Sequence, residues 1–82
     1  MATKHDLQFW VLEALEFLGG SGTVVEVARV IWDRHETELR DSDALFYTWQ
    51  YDMRWAAQAL RDTGRAVPAS DAPRGTWKLV SE

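Results

Sequence analysis

Gln50, Tyr51, Arg54, Gln58 and Arg61 gather on one side of residues 48–63 when that stretch is wound at helical spacing. Their chemistry is that of base-edge recognition. A Gln amide pairs bidentately with adenine N6 and N7, and a guanidinium does the same with guanine O6 and N7. The opposite side holds Trp49, Met53, Ala56, Leu60 and Thr63 at i, i+4, i+7, i+11 and i+14, with Trp55 and Ala59 beside them. That stripe predicts a helix over about 48–63, buried on one face and presenting Gln, Tyr and Arg on the other. Gly64 follows where a left-handed C-cap residue is wanted, and Arg61 lies in the last turn, where the helix dipole favours a cation. The competing account is an ordinary solvated face. In it Arg54 pairs with Asp52, Asp62 or Asp41, and Asp52, placed in the first turn, serves to stabilise the helix.

Three more cations follow this stretch: Arg65, Arg74 and Lys78. After Gly64 the period changes from helical to extended. Residues 65–68 and 76–80 are strand candidates joined by the turn-forming connector 69–75, which predicts a β-hairpin with Arg74 near its tip. There Arg74, with Lys78 and Arg65 nearby, suits contact with backbone phosphate or the minor groove. Generic solubility is the plainer account, above all for Lys78. Pro68 cannot donate to a ladder and so marks a strand end or an edge. Trp55 and Trp77 are expected in the core, fastening the hairpin to the helix, rather than as stacking platforms. Tyr47, Trp49 and Tyr51 are harder to place. Two of them exposed together would make an adhesive patch suited to a protein partner.

Two further helices must carry this pair of elements. Residues 4–18 repeat Leu7, Trp10 or Val11, Ala14, and Phe17 or Leu18 at helical spacing, with Thr3 or Asp6 as the cap. Three glycines in residues 19–22 end that helix in a turn. The segment 19–23 can add a short strand edge. Thr23 and Glu26 then form a capping box for a second helix, with Val24, Val27, Ala28, Ile31 and Trp32 or His35 on its apolar side, running to about His35. Residues 36–47 read two ways. Either residues 41–43 cap a short turn, or the chain runs directly into the third helix; in both cases Leu45, Phe46 and Tyr47 close one end of the core.

Composition narrows the function classes. A chain of 82 residues is one domain, expected to bury only roughly 60% of its unfolded surface. Five Trp, three Phe and two Tyr supply the large apolar faces that let so short a chain fold. There is no Cys, which excludes disulfides and thiolate metal sites. No apolar run approaches a membrane span and no signal-peptide core is present, so a soluble, cytoplasmic protein is expected. The net charge of −4 argues against a general nucleic-acid binder. Its distribution softens that objection: residues 1–53 hold four cations against ten anions, whereas residues 54–80 hold five cations against two anions.

Two apparent motifs carry no chemistry. The glycine-rich segment 19–22 has neither the preceding strand nor the Gly-Lys-Ser/Thr ending of a phosphate loop. His35-Glu36 begins like a zinc-protease motif, but Leu39 stands where the second His belongs, and a solvated helix end is the expected role. With no Cys and no Ser/His/Asp arrangement, no enzyme, cofactor, metal or small-molecule substrate is expected.

The expected architecture is α+β, mainly α: three helices followed by a C-terminal β-hairpin, the winged helix-turn-helix arrangement, over residues 1–82 as a single domain. The chain resembles the winged-helix domain at the N-terminus of Mrr-type restriction proteins. The resemblance runs from about Leu12 to Val80. It rests on Leu15-x-x-Leu18-Gly-Gly, the Thr23-capped helix, Arg54-Trp55-Ala56 followed by Leu60 and Gly64, and Arg74-Gly75-x-Trp77-x-Leu79. It implies double-stranded DNA binding, in a setting where a separate nuclease domain cuts modified DNA. No acidic residue is followed at +2 by Lys here, so cleavage does not carry over. A DNA-binding module without catalysis is therefore expected, its third helix in the major groove and its hairpin (65–80) on the backbone. The alternative is a protein-interaction or homodimerisation module of the same fold, using the aromatic residues around 46–55.

Overall fold

The computed structural model describes residues 4–80. Three helices and a small antiparallel sheet follow in the order α1 (Lys4–Phe17), β1 (Ser21–Thr23), α2 (Val24–Arg40), α3 (Asp43–Asp62), a 3-10 turn (Ala69–Asp71) and β2 (Thr76–Lys78). The chain is mainly helical, as its periodicities predict.

In α1, Leu7, Trp10, Val11, Ala14 and Leu15 are buried at i, i+3, i+4, i+7 and i+8. This stripe lies chiefly against α3. Asp6 sits within the first turn rather than at the cap, because the helix is already formed at Lys4; Thr3 lies outside the described residues. The helix ends in a Schellman-type closure. The amide of Gly20 donates to the Leu15 carbonyl at 2.7 Å and that of Gly19 to Glu16 at 3.1 Å, with Gly19 at φ +89°.

The strand edge expected at 19–23 is β1. It pairs with β2 in the register Ser21–Lys78, Gly22–Trp77 and Thr23–Thr76. Gly22 is buried across from Trp77, and a Cβ there would lie 2.7 Å from the Leu18 Cδ1. The expected hairpin ladder is corrected. The regular pairing of β2 is with β1, and 65–68 contributes one bridge, Ala66–Leu79, flanked by Val67 N–H to Lys78 O (2.9 Å) and Val80 N–H to Arg65 O (3.0 Å). Regular pairing ends before Pro68, whose carbonyl accepts from the Asp71 amide at 2.9 Å to open the 3-10 turn. The segment 65–67 thus borders β2 on the side opposite β1.

Thr23 and Glu26 form the predicted capping box, with the Glu26 amide on Thr23 Oγ1 (3.2 Å) and the Thr23 amide on Glu26 Oε1 (2.9 Å). Contrary to expectation, α2 does not stop at His35. That residue leaves helical geometry (φ −127°, ψ 19°), and the helix continues to Arg40. The ring of His35 is held rather than solvated. It stacks on Trp10 (4.0 Å between centroids, 7° between planes) and lies 2.9 Å from Glu13 Oε1 and 3.2 Å from Glu38 Oε1. Beyond the kink, fully buried Leu39 resumes the apolar stripe of Val27 and Ile31, which is why the helix persists through a polar sequence.

Only Asp41 and Ser42 separate α2 from α3, so the chain does run almost directly into the third helix. Ser42 is buried and its hydroxyl donates back to the Glu38 carbonyl, with no side-chain cap bond on α3. The early start of α3, at Asp43 instead of 48, follows from Leu45, which is buried one turn before Trp49. The core side is Leu45, Trp49, Met53, Ala56, Ala57 and Leu60. Thr63, expected on that stripe, is exposed, and its hydroxyl donates to the Ala59 and Leu60 carbonyls. Gly64, at φ +81°, closes α3 as predicted, and the Arg65 amide reaches the Leu60 carbonyl at 2.9 Å.

Candidate nucleic-acid interface

The outward side of α3 carries Tyr47, Gln50, Tyr51, Arg54 and Gln58, all exposed. Among the described residues Arg54 makes no ion pair, so the surface pairing with Asp41, Asp52 or Asp62 is not formed. Asp52 lies in the third turn, because the helix starts at Asp43, and accepts from Thr48 Oγ1 at 2.8 Å. Asp62 accepts from the Gln58 amide at 3.0 Å, which holds that side chain along the helix. Gln58 must exchange this bond to meet a base. Arg61 is half-buried in the last turn.

Trp55 corrects an expectation: it is 36% exposed, and its ring meets His5 edge-on at 5.6 Å. The residue that completes the core side is Ala57, because a straight helix turns 53, 56, 57 and 60 towards α1 and leaves 55 at the margin. Trp77 is in the core as predicted, 7% exposed. Tyr47 does not close the core. It is 83% exposed, with Tyr51, one turn on, at 78%. Trp49 is buried and takes no part in their patch; it stacks on Trp32 at 6.0 Å.

Arg65, Arg74 and Lys78 are exposed. Arg74 sits in a four-residue turn closed by the Thr76 amide on the Pro73 carbonyl (3.0 Å), with Gly75 at φ +76°. A side chain at Gly75 would be strained there. The Gly75 carbonyl then accepts from the Val24 amide at 3.2 Å, which ties the Arg74 turn to the start of α2.

Val24 also lines an open groove of about 740 Å³ between α2 and α3. Its walls include Val25, Ala28, Trp32, Phe46, Trp49 and Met53, with Arg29, Asp33, Gln50 and Arg54 among the polar residues. Sequence periodicity did not show this groove, because it lies at the margin of two helix faces. Its signals were Val25 and Phe46, apolar residues outside the main stripes. The groove joins two sets of residues that are far apart in the chain: the Arg74 turn, through Val24, and the middle of α3, through Gln50 and Arg54.

Among the described residues, the ion pair of Arg40 with Glu36 and the hydrogen bonds of His35 with Glu13 and Glu38 all lie within α1 and α2. Arg54, Arg61, Arg65, Arg74 and Lys78 form no ion pair among the described residues. The acidic front of the chain therefore uses some of its charge internally, while the basic back keeps its charge for solvent or a ligand. No family model, curated protein or solved structure matches this chain. No helix among the described residues is long and apolar enough to cross a membrane.

Proposed function

We propose that the protein is a non-catalytic winged-helix module that binds double-stranded DNA, with α3 in the major groove and residues 65–80 as the wing on the backbone. The observation that carries this reading is the run of cations from Arg54 to Lys78, which make no ion pair among the described residues and flank an outward face bearing Gln50 and Tyr51. Cations without carboxylate partners lose little by meeting phosphate, and each one engaged releases condensed counterions. The order of three helices, then a β2 bordered by β1 and by 65–67, is what a wing requires. In this reading Arg54 and Gln50 meet base edges, Tyr51 and Gln58 add groove or sugar contacts, and Arg61, Arg65, Arg74 and Lys78 hold phosphates.

Exposure of Tyr47 and Tyr51 favours a second reading, a homodimerisation or protein-docking surface centred on those rings. Salt separates the two. With about four phosphate contacts, affinity for a random duplex should fall on the order of a hundredfold between ~50 and ~200 mM salt. Fluorescence anisotropy with a labelled duplex measures this. Folded protein that binds no duplex at ~50 mM salt would overturn the DNA reading. Self-association that Tyr47→Ala abolishes in sedimentation equilibrium would then establish the other.

A further inference from the structure

We infer that the groove between α2 and α3 reads the 5-methyl edge of thymine, so that this protein prefers an A·T pair about two steps from a G·C pair. The inference rests on the DNA-binding reading above and names what that surface recognises. An A·T pair shows two things side by side in the major groove: the adenine N6/N7 donor–acceptor pair and the thymine methyl group. The groove offers both complements together. Gln50 is exposed at its edge, and Val25, exposed, and Phe46, half-buried, supply apolar surface to the same space.

Val25 is the informative residue. It is 60% exposed in the first turn of α2, next to Glu26, whose amide the capping box engages, and Val24, whose amide donates to the Gly75 carbonyl. An apolar residue there gains only when something apolar covers it. Duplex DNA presents few apolar groups to such a wall, and in the major groove the thymine methyl is the principal one. Charge supports the same occupant. Arg29 and Arg54 line the groove against one carboxylate, Asp33, and neither cation forms an ion pair among the described residues, so the lining carries a net positive charge towards phosphates beside the base edge.

Spacing sets the register. Gln50 and Arg54 are one helical turn apart, about 6 Å along α3 at 1.5 Å per residue. Base pairs stack roughly 3.4 Å apart, so the two side chains address positions about two steps apart. A groove this wide admits the edge of a base pair and does not grip a single methyl, so the discrimination is of the few-fold kind.

The test compares duplexes containing thymine with identical duplexes in which every thymine is replaced by uracil. This substitution keeps all base pairing and deletes only the methyl groups. Wild-type protein should bind the uracil duplex about fourfold more weakly per methyl seated. Val25→Thr, nearly isosteric and on the surface, should reduce that ratio towards one with the melting temperature unchanged. Gln50→Ala should lose its preference for A·T over G·C at the same position, with the melting temperature confirming the fold. Equal affinity for the two duplexes in the wild type overturns the inference while leaving DNA binding intact. Absence of binding to both removes the underlying reading as well.

Discussion

Trp77→Ala is expected to lower the free energy of unfolding by about 3–5 kcal/mol. The indole is 7% exposed at the centre of β2, across from Gly22, with β1 on one side of the strand and the Ala66–Leu79 bridge on the other. Removing it leaves a void that so small a domain has few side chains to refill. An 82-residue domain has a total stability of about 4–12 kcal/mol, so this one truncation removes a large part of it. Loss of β2 packing also frees the turn that holds Arg74, so DNA affinity should fall with stability. Trp55→Ala is the informative control. That ring is 36% exposed at the margin of α3, and its loss should cost less than ~2 kcal/mol. Urea unfolding monitored by far-UV circular dichroism gives both values, and a larger loss for Trp55 than for Trp77 would contradict the packing described.

Arg54→Ala should weaken binding to a preferred duplex by about 1–3 kcal/mol, roughly fivefold to 150-fold, with little change in melting temperature. The side chain is exposed, lies midway along α3 and makes no ion pair among the described residues, so its removal breaks nothing visible in the fold. Arg54→Lys should recover only part of the loss, because an ammonium keeps the charge and not the bidentate fork. Arg34→Ala provides the comparison. Its guanidinium lies over the Phe17 ring at 4.8 Å, away from the groove residues, and its loss should leave duplex affinity within about twofold at moderate salt. Equal effects of the two alanine substitutions in competition binding would mean that net charge alone, not the α3 face, governs affinity.

Much of this arrangement is legible in the residues because local signals agree with the fold. The capping box at Thr23 and Glu26, the glycines after α1 and the Gly64 closure each act within a few residues, and each forms as its chemistry dictates. The stripe of α3 is equally local, and its outward Gln, Tyr and Arg residues follow from it. What eluded the sequence is decided by distant partners. His35 reads as a helix end until Trp10 and Glu13 of α1 hold its ring, and only then does Leu39 read as core. Residues 65–68 look like a full hairpin strand. β1 takes the other edge of β2, and the near edge makes one bridge before the chain enters the 3-10 turn at Ala69–Asp71. Trp55 looked like core because it is large and apolar, but helical phase sets its position and Ala57 takes the place instead.

The most direct test of the central claim is a map of backbone amide shifts in ¹⁵N-labelled protein as a short duplex is added. If α3 and the wing form the DNA surface, perturbations should concentrate in residues 24–29, 50–61 and 74–78, with the exposed α1 face around Phe9 and Phe17 silent. Shifts confined to that α1 face, or saturable binding that leaves α3 and the Arg74 turn unchanged, would contradict it.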